Sequence, residues 1–308
     1  MKLDQVLVLG GSGFLGRHVV AALAAKAIKV TLPTRRRERA KHLFVLPTVD
    51  VVQTDIMAPG VLEALVRGKQ AVINLVGILH GDFERPHVEL PKAIVAACRT
   101  TGVKRLVHIS ALGVSPEAPS QYLRSKAMGE QAVLAASDLE VTAFRPSVVF
   151  GPEDSFLNTF ATLARFFLVL PIGCPNARFQ PVYVGDVANA IMRSLDDPET
   201  HGKAYELCGP RQYTLRELVE FVCAATGRHR IIVPLSDRLS YLQAFMLEKA
   251  PGKLMTRDNY RSMQVPNVCT GAFPFNFVPQ ALEAAAPAYL APSGPRERYP
   301  QLRWRARR

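Results

Sequence analysis

Gln5-Val-Leu-Val-Leu-Gly-Gly-Ser-Gly-Phe-Leu-Gly16 decides how this chain is read. A short apolar run of strand type leads into glycines at 10, 13 and 16. The residues from Phe14 to Lys26 then set Leu15, Val19, Val20 and Leu23 on one helical face. Strand, glycine turn and helix, in that order, make a cradle for the pyrophosphate of a dinucleotide. The glycines permit a tight turn, a close backbone approach to phosphate and close packing of helix on strand, while the first helical amides face the anion. The cradle comprises Gly10, Ser12, Gly13, Phe14, Leu15 and Gly16. Glycine also joins many ordinary strands to helices, so the flanking pattern carries the assignment.

Outward from this segment, strand-like runs at Ile28–Leu32, Val49–Gln53, Ala71–Leu75, Arg105–Ile109 and Glu140–Phe144 alternate with helical stretches near 59–67, 86–101 and 121–136. The alternation predicts an α/β fold with a Rossmann-type, doubly wound parallel sheet, which binds ligand beyond the carboxyl ends of its strands. The second strand runs into Pro33-Thr-Arg-Arg-Arg37, and no acid lies between Asp4 and Glu38 to hold a ribose 2′-hydroxyl. Guanidinium groups suit a 2′-phosphate instead, so the expected cofactor is NADP(H) in preference to NAD(H), with Arg35 as the contact. A solvated basic turn is the alternative. Asp55, followed by Ile56, is placed to accept a bond from the adenine amine or to cap the next helix. Leu75, Val76 and Gly77 pass the adenine ribose and pyrophosphate.

Tyr122 and Lys126 lie four apart on a predicted helix and share a face. A lysine there can favour the phenolate, lowering the tyrosine pKa, and can hold a nicotinamide ribose. Such a pair also arises by chance in helices. Its position after the fifth strand of a glycine-motif chain is what singles it out.

With Gly10–Gly16 and Tyr122/Lys126 stand Arg145-Pro-Ser-Val-Val-Phe-Gly-Pro152 and Pro181-Val-Tyr-Val-Gly-Asp-Val-Ala188. Together these resemble the extended and atypical branches of the short-chain dehydrogenase/reductase superfamily over roughly residues 5–210. The resemblance implies that Pro146 lies beside the nicotinamide, that Tyr122 is the acid/base, and that Lys126 tunes it and holds the ribose. Thr34–Ala40, Val72–Ile78, Tyr122–Glu130, Gly151–Asn158 and Met255–Asp258 look like a narrower group, the nucleotide-binding accessory subunits of respiratory complex I and their bacterial relatives. That group implies bound NADPH serving structure more than turnover, and a respiratory or quinone-synthesis partner. One departure matters: where superfamily reductases carry a Ser or Thr just past the fifth strand, this chain has Ala111 and Leu112. Ser110 is the candidate substitute, or it ends the strand by bonding nearby backbone. The expected function is an NADPH-dependent oxidoreductase in respiratory or quinone metabolism. The alternatives are a non-catalytic NADP(H) sensor or structural subunit, and a sugar-nucleotide epimerase/dehydratase.

At 308 residues and 48% hydrophobic content, the chain accommodates a nucleotide domain over 1–150 with a return segment at 181–200. A smaller lobe is expected over 151–180 and 201–287, and a basic, loosely ordered tail over 288–308. The apolar 156–170 segment is expected to be core or dimer-like packing, and Leu239–Leu247 a core helix before a membrane or subunit contact. Five cysteines without close pairing argue against a metal site or a disulfide framework. The formal charge is +12, with basic residues crowding the cofactor turn and the tail. It points to an anionic membrane surface or an acidic protein partner, unless the tail simply solubilises. Nucleic acid is not expected, since no helix-turn-helix or zinc signature appears and the basic runs lack interleaved aromatics. The glycine motif starts too early to leave room for a signal peptide, and no apolar run approaches the roughly 20 residues that span a bilayer. The expected location is the cytoplasm, either free or peripheral at the inner face of the membrane.

Overall fold

The computed structural model describes residues 3–291 apart from 251 and 253. In chain order the first half contains β1 (Gln5–Leu9), α1 (Phe14–Ala25), β2 (Lys29–Thr34), β3 (Val49–Gln53), α2 (Val61–Val66), β4 (Ala71–Asn74), α3 (Leu90–Thr101), β5 (Arg105–Ile109), α4 (Gln121–Leu134) and β6 (Glu140–Pro146). The second half contains β7 (Val149–Phe150), α5 (Leu157–Phe166), β8 (Val169–Ile172), β9 (Arg178–Phe179), β10 (Val182–Tyr183), α6 (Val184–Leu195), β11 (Lys203–Leu207), β12 (Tyr213–Thr214) and α7 (Leu215–Ala225). It closes with β13 (Ile231–Pro234), α8 (Asp237–Lys249), α9 (Arg257–Ser262), α10 (Leu282–Ala285) and α11 (Pro287–Leu290).

Seven strands form one parallel sheet in the order β11-β6-β5-β4-β1-β2-β3. The order reverses between β1 and β4, whose partners run outward in opposite directions, and that crevice is where a doubly wound sheet receives its ligand. Central strands are apolar because helices cover both faces. Val6, Val8 and Ile73 pack with α1 and α6 on one side, and Leu7, Leu9 and Val72 with α2, α3 and α4 on the other. A third cluster, built on Leu157, Phe179, Leu218 and Val222, is the core of the remaining lobe.

The structure moves several expected boundaries. Lys203–Leu207 pairs with β6 as the seventh strand, so a lobe boundary at 201 cuts into the main sheet. The helix expected over 86–101 is a π turn at Arg85–Glu89 followed by α3. Pro86 and Pro91 lack the N–H groups that a continuous α ladder needs there. The tail expected from 288 begins as helix: Leu290 is buried and Tyr289 Oη donates to Asp154 Oδ2 at 2.9 Å. Its basic remainder, Arg296 to Arg308, lies outside the described residues.

Two expectations, the core helix over Leu239–Leu247 and the absence of a disulfide, also change, while the expected core packing of 156–170 is met in its first half. In α8 only Ser240 and Ala244 are buried, while Leu239, Tyr241, Leu242, Phe245 and Met246 are exposed, so Leu239–Leu247 is not a core helix. In the 156–170 segment, Phe156 and Phe160 join the lobe core, but Phe166, Phe167 and Leu168 face solvent. Cys208 and Cys269 form a disulfide, against the expectation of none. Local Cys spacing could not reveal it. The strand β11 delivers Cys208, while Gln180 Oε1 anchors the backbone amide of Cys269 at 3.0 Å, bringing residues 61 apart in sequence to a Cα–Cα distance of 6.0 Å.

Candidate functional site

The glycine turn fills the crevice between β1 and β4. Gly10 has φ +78°, and a Cβ there would stand 3.0 Å from the Leu75 carbonyl carbon and the Val76 nitrogen. A Cβ on Gly16 would collide with the Gly10 carbonyl and Gly11 Cα. Gly13 donates to Gly10 O at 3.0 Å and N-caps α1 without any side-chain cap, and no acid occupies the first turn. The opening amides of α1 are thus left to an external anion. Ser12, Phe14 and Leu15 line the same turn half-buried. Arg17, one turn along, is ion-paired to Glu153.

At the end of β2, Thr34 Oγ1 donates to Arg36 O at 3.2 Å and fixes the turn. Arg37 is drawn away over the Phe44 ring, its guanidinium 5.1 Å from the centroid. Arg35 is exposed. Asp55 Oδ1 accepts from Met57 N at 3.1 Å and its carboxylate faces Arg85 at 3.5 Å. It closes a turn, and Gly60, not Asp55, N-caps α2. Ile56 packs beside it against the second core cluster. Leu75 N donates to Leu9 O at 2.9 Å and Val76 N to Asn74 Oδ1 at 3.1 Å, so the strip Leu75-Val76-Gly77 runs alongside the glycine turn.

Tyr122 and Lys126 sit one turn apart on α4. Lys126 Nζ donates to Val76 O at 3.3 Å and to Ile109 O at 3.0 Å, bridging the carboxyl ends of β4 and β5. A Cβ on Gly77 would lie 3.2 Å from that Nζ. Burial lowers the Lys126 pKa to about 8, opposed by the Glu130 carboxylate one turn further on. Glu130 is itself buried and accepts from Arg145 Nε at 3.0 Å. Tyr122 stands edge-on to Phe83 and His87 at ring distances of 6.0 and 5.6 Å. Burial pushes its phenol up to about 12, the opposite direction to the lowering expected from Lys126.

Two residues supporting this pair escaped sequence reasoning. His87, in the π turn, accepts from Ile78 N at its Nε2 at 3.1 Å, which leaves the proton on Nδ1 for Ser125 Oγ at 2.9 Å. Ser125 Oγ in turn donates to Tyr122 O at 2.9 Å. This neutral histidine ties the loop after β4 to the turn of α4 that carries Tyr122. From α9, Asp258 accepts from Gln121 N at 2.7 Å and Tyr122 N at 3.0 Å, capping α4 across 136 residues of sequence. Thr256 and Asn259 form a capping box around Asp258. That box was the available signal for a helix start, though nothing in it pointed at α4.

Beyond β5, Ser110 N extends the ladder to Phe144 O at 2.7 Å, and Leu112 N reaches Pro146 O at 3.0 Å. The Ser110 hydroxyl is buried and has no hydrogen-bond partner among the described residues, so it does not end the strand by bonding backbone. Pro146, Ala111 and Leu112 are buried. Ala111, Ala118 and Leu123 pack with Val114, Tyr122 and Val265 into a small apolar cluster on the tyrosine side. Among the described residues no group of three His, Cys, Asp or Glu could hold a metal ion, and no helix is long and apolar enough to cross a membrane.

A glycine cradle at the switch point of a parallel sheet, with a Tyr/Lys pair on the helix after the fifth strand, defines a dinucleotide-binding protein of the short-chain dehydrogenase/reductase superfamily. The chain belongs to the NAD dependent epimerase/dehydratase family, whose model matches residues 6–208. It is 37% identical over 239 residues to NADH dehydrogenase [ubiquinone] 1 alpha subcomplex subunit 9, mitochondrial, of Mus musculus, covering 74% of this chain and 63% of that protein. It is 31% identical over 238 residues to the ceramide reductase of Caulobacter vibrioides, covering 75% and 74%. The fold is shared with the NAD complex of Thermus thermophilus UDP-glucose 4-epimerase at TM-score 0.63 and 22% identity, covering 83% and 99%. The chain therefore spans under two thirds of the mouse subunit it resembles.

Proposed function

We propose that this chain binds NADP(H) and, as an oxidoreductase, reduces the carbonyl of an apolar substrate. The observation that carries the reading is Lys126 Nζ at the carboxyl ends of β4 and β5, with Tyr122 one turn back on the same helix. The residues fit a dinucleotide: first-turn amides without a cap and a turn that a Cβ would fill. A bound reduced dinucleotide supplies a hydride to the carbonyl carbon. Tyr122 Oη gives its proton to the carbonyl oxygen, completing the alcohol, and regains one from solvent. Lys126 holds the nicotinamide ribose hydroxyls and stabilises the transient phenolate. Ser110 Oγ donates to the same carbonyl oxygen. Arg35 takes the 2′-phosphate, since Arg37 is engaged with Phe44. Asp55, Ile56, Leu75, Val76, Gly77 and Pro146 line the cofactor. The apolar cluster beside Tyr122 and the ceramide reductase relative support a lipid- or quinone-like substrate.

A second reading is that the cofactor stabilises a subunit without turnover. The absence of a hydroxyl at Ala111 and Leu112 and the resemblance to a respiratory-complex subunit favour it. On either reading the partner is a respiratory or quinone-synthesis assembly, and the protein sits peripherally at the inner, cytoplasmic face of a membrane.

Nucleotide released from the purified protein identifies the cofactor, and oxidation of NADPH by carbonyl compounds and quinones separates the two readings. Tightly held NADPH that no acceptor oxidises would establish the structural one. For an enzyme, Tyr122→Phe abolishes turnover and leaves NADPH affinity nearly unchanged. Arg35→Glu weakens NADPH by about ten- to a hundredfold, as loss of a charge-assisted phosphate contact should, and NADH far less. Equal losses for both nucleotides would remove the 2′-phosphate assignment.

A further inference from the structure

The outer face of the C-terminal lobe leaves uncovered one side of a parallel strand pair, where parallel strands are ordinarily covered on both. β8 and β13 pair in parallel with Val169 opposite Ile231 and Pro171 opposite Val233. Leu170 and Ile172 face the lobe core, whereas Val169, Ile231 and Val233 are 47%, 65% and 38% exposed. Phe166, Phe167 and Leu168 lead straight into β8 at 71%, 55% and 71%. Six large apolar side chains are thus exposed along this segment and its partner strand, where a soluble surface would scatter them singly. α8, with its own exposed Leu239, Leu242 and Met246, is held beside β8 by Gln243 Nε2 donating to Pro171 O at 2.9 Å.

Three arginines border this face. The Arg165 guanidinium stands 5.7 Å above the Phe166 ring. Arg230 Nε donates to Ala164 O at 2.6 Å, fixing that cation near the end of α5, and Arg228 Nη1 donates to Thr226 O at 3.1 Å, just past α7. Among the described residues no carboxylate is ion-paired with any of the three. No Asp or Glu occurs between Asp154 and Asp186 or between Glu220 and Asp237, the stretches that build the face.

We propose that this face docks on anionic lipid, with Phe166–Leu168 and the β8–β13 surface at the boundary between headgroups and acyl chains and Arg165, Arg228 and Arg230 at the phosphate plane. Apolar depth beneath a layer of negative charge matches both features at once. The inference rests on the peripheral placement proposed above and gives that placement a surface distinct from the basic tail.

The test is sedimentation of the full chain with vesicles of phosphatidylcholine alone or with about a third phosphatidylglycerol. It compares wild type, Phe166→Ser/Leu168→Ser/Ile231→Ser and Arg165→Ala/Arg228→Ala, with NADPH affinity measured on each as a check of folding. Wild type should bind the anionic vesicles and bind neutral ones much more weakly. The apolar variant should lose at least tenfold in partitioning. The arginine variant should lose most of the preference for anionic lipid, while NADPH affinity is unchanged in both. Wild-type binding that both variants retain would place docking elsewhere, at the tail for instance, and overturn the inference while leaving peripheral placement intact. Wild type that binds neither vesicle would overturn both. A wild-type dimer that the apolar variant makes monomeric, without any effect on vesicle binding, would assign the face to a second copy of this chain instead.

Discussion

His87 is held neutral by its position. Its Nε2 accepts from the Ile78 amide, so protonation would break that bond inside the fold, and burial with the nearby Lys126 cation depresses its pKa to about 3. His108, buried and bonded to Asn74 at 3.1 Å, is likewise lowered to about 3. An unfolded histidine takes its proton near its ordinary value, about 6.5, so between there and about 3 the unfolded chain binds more protons than the folded one. Stability therefore falls as pH drops through this window. Each histidine contributes up to about 1.4 kcal/mol per pH unit. Thermal unfolding from pH 7 to 4 should show the decline, and His87→Gln should flatten it by about one proton's worth; an unchanged slope would mean that His87 is protonated in the native state. Lys126 has the same sense at alkaline pH: lowered to about 8, it makes stability rise as pH climbs from there towards its ordinary value. At this scale the sequence was legible where a residue acts through its own neighbours. The spacings of Gly10, Gly13 and Gly16 and of Tyr122 and Lys126 needed no partner to be read. His87 and the upward shift of Tyr122 depend on what the fold packs against them.

Helix α4 carries the candidate chemistry, and its first turn is held from two sides. Ser120 Oγ accepts from Leu123 N at 3.2 Å, and Asp258 takes the two preceding amides. Replacing Asp258 with Ala leaves those amides unpaired and should cost about 1 kcal/mol, the usual range for an N-cap. If Tyr122 acts as proposed, turnover should fall further than stability, because the turn that moves is the one bearing the phenol. Melting temperature, kcat and NADPH affinity measured on Asp258→Ala and Asp258→Asn decide this. A loss of stability with kcat intact would reduce Asp258 to a cap and nothing more. The alternation of strands and helices was readable through β6, because parallel strands covered on both faces leave apolar runs. The π turn at Arg85–Glu89 was not, since Pro86 and Pro91 interrupt a ladder that the apolar spacing alone would continue.

Across the whole molecule, the short strands of the C-terminal lobe and the placement of β11 were least legible, because their partners are remote: β11 crosses back to β6, and β12 pairs with β9. The Cys208–Cys269 crosslink belongs to the same class. It ties the carboxyl end of the seventh strand, beside the candidate site, to the loop whose Asn267 side chain accepts from Val148 N at 3.1 Å. A bond closing 61 residues removes on the order of 4 kcal/mol of unfolded-state freedom in the loop-entropy model. For a chain of this size that corresponds to roughly 6 °C in melting temperature. Calorimetry with and without a dithiol reductant should show that separation. Cys208→Ser/Cys269→Ser should melt with the reduced protein under both conditions. Coincident melts of the oxidised and reduced wild type would mean that hydrogen bonds from Gln180 and Asn267 hold the loop without the crosslink. The lobe would then keep its place against the sheet even in a compartment that holds both cysteines as thiols.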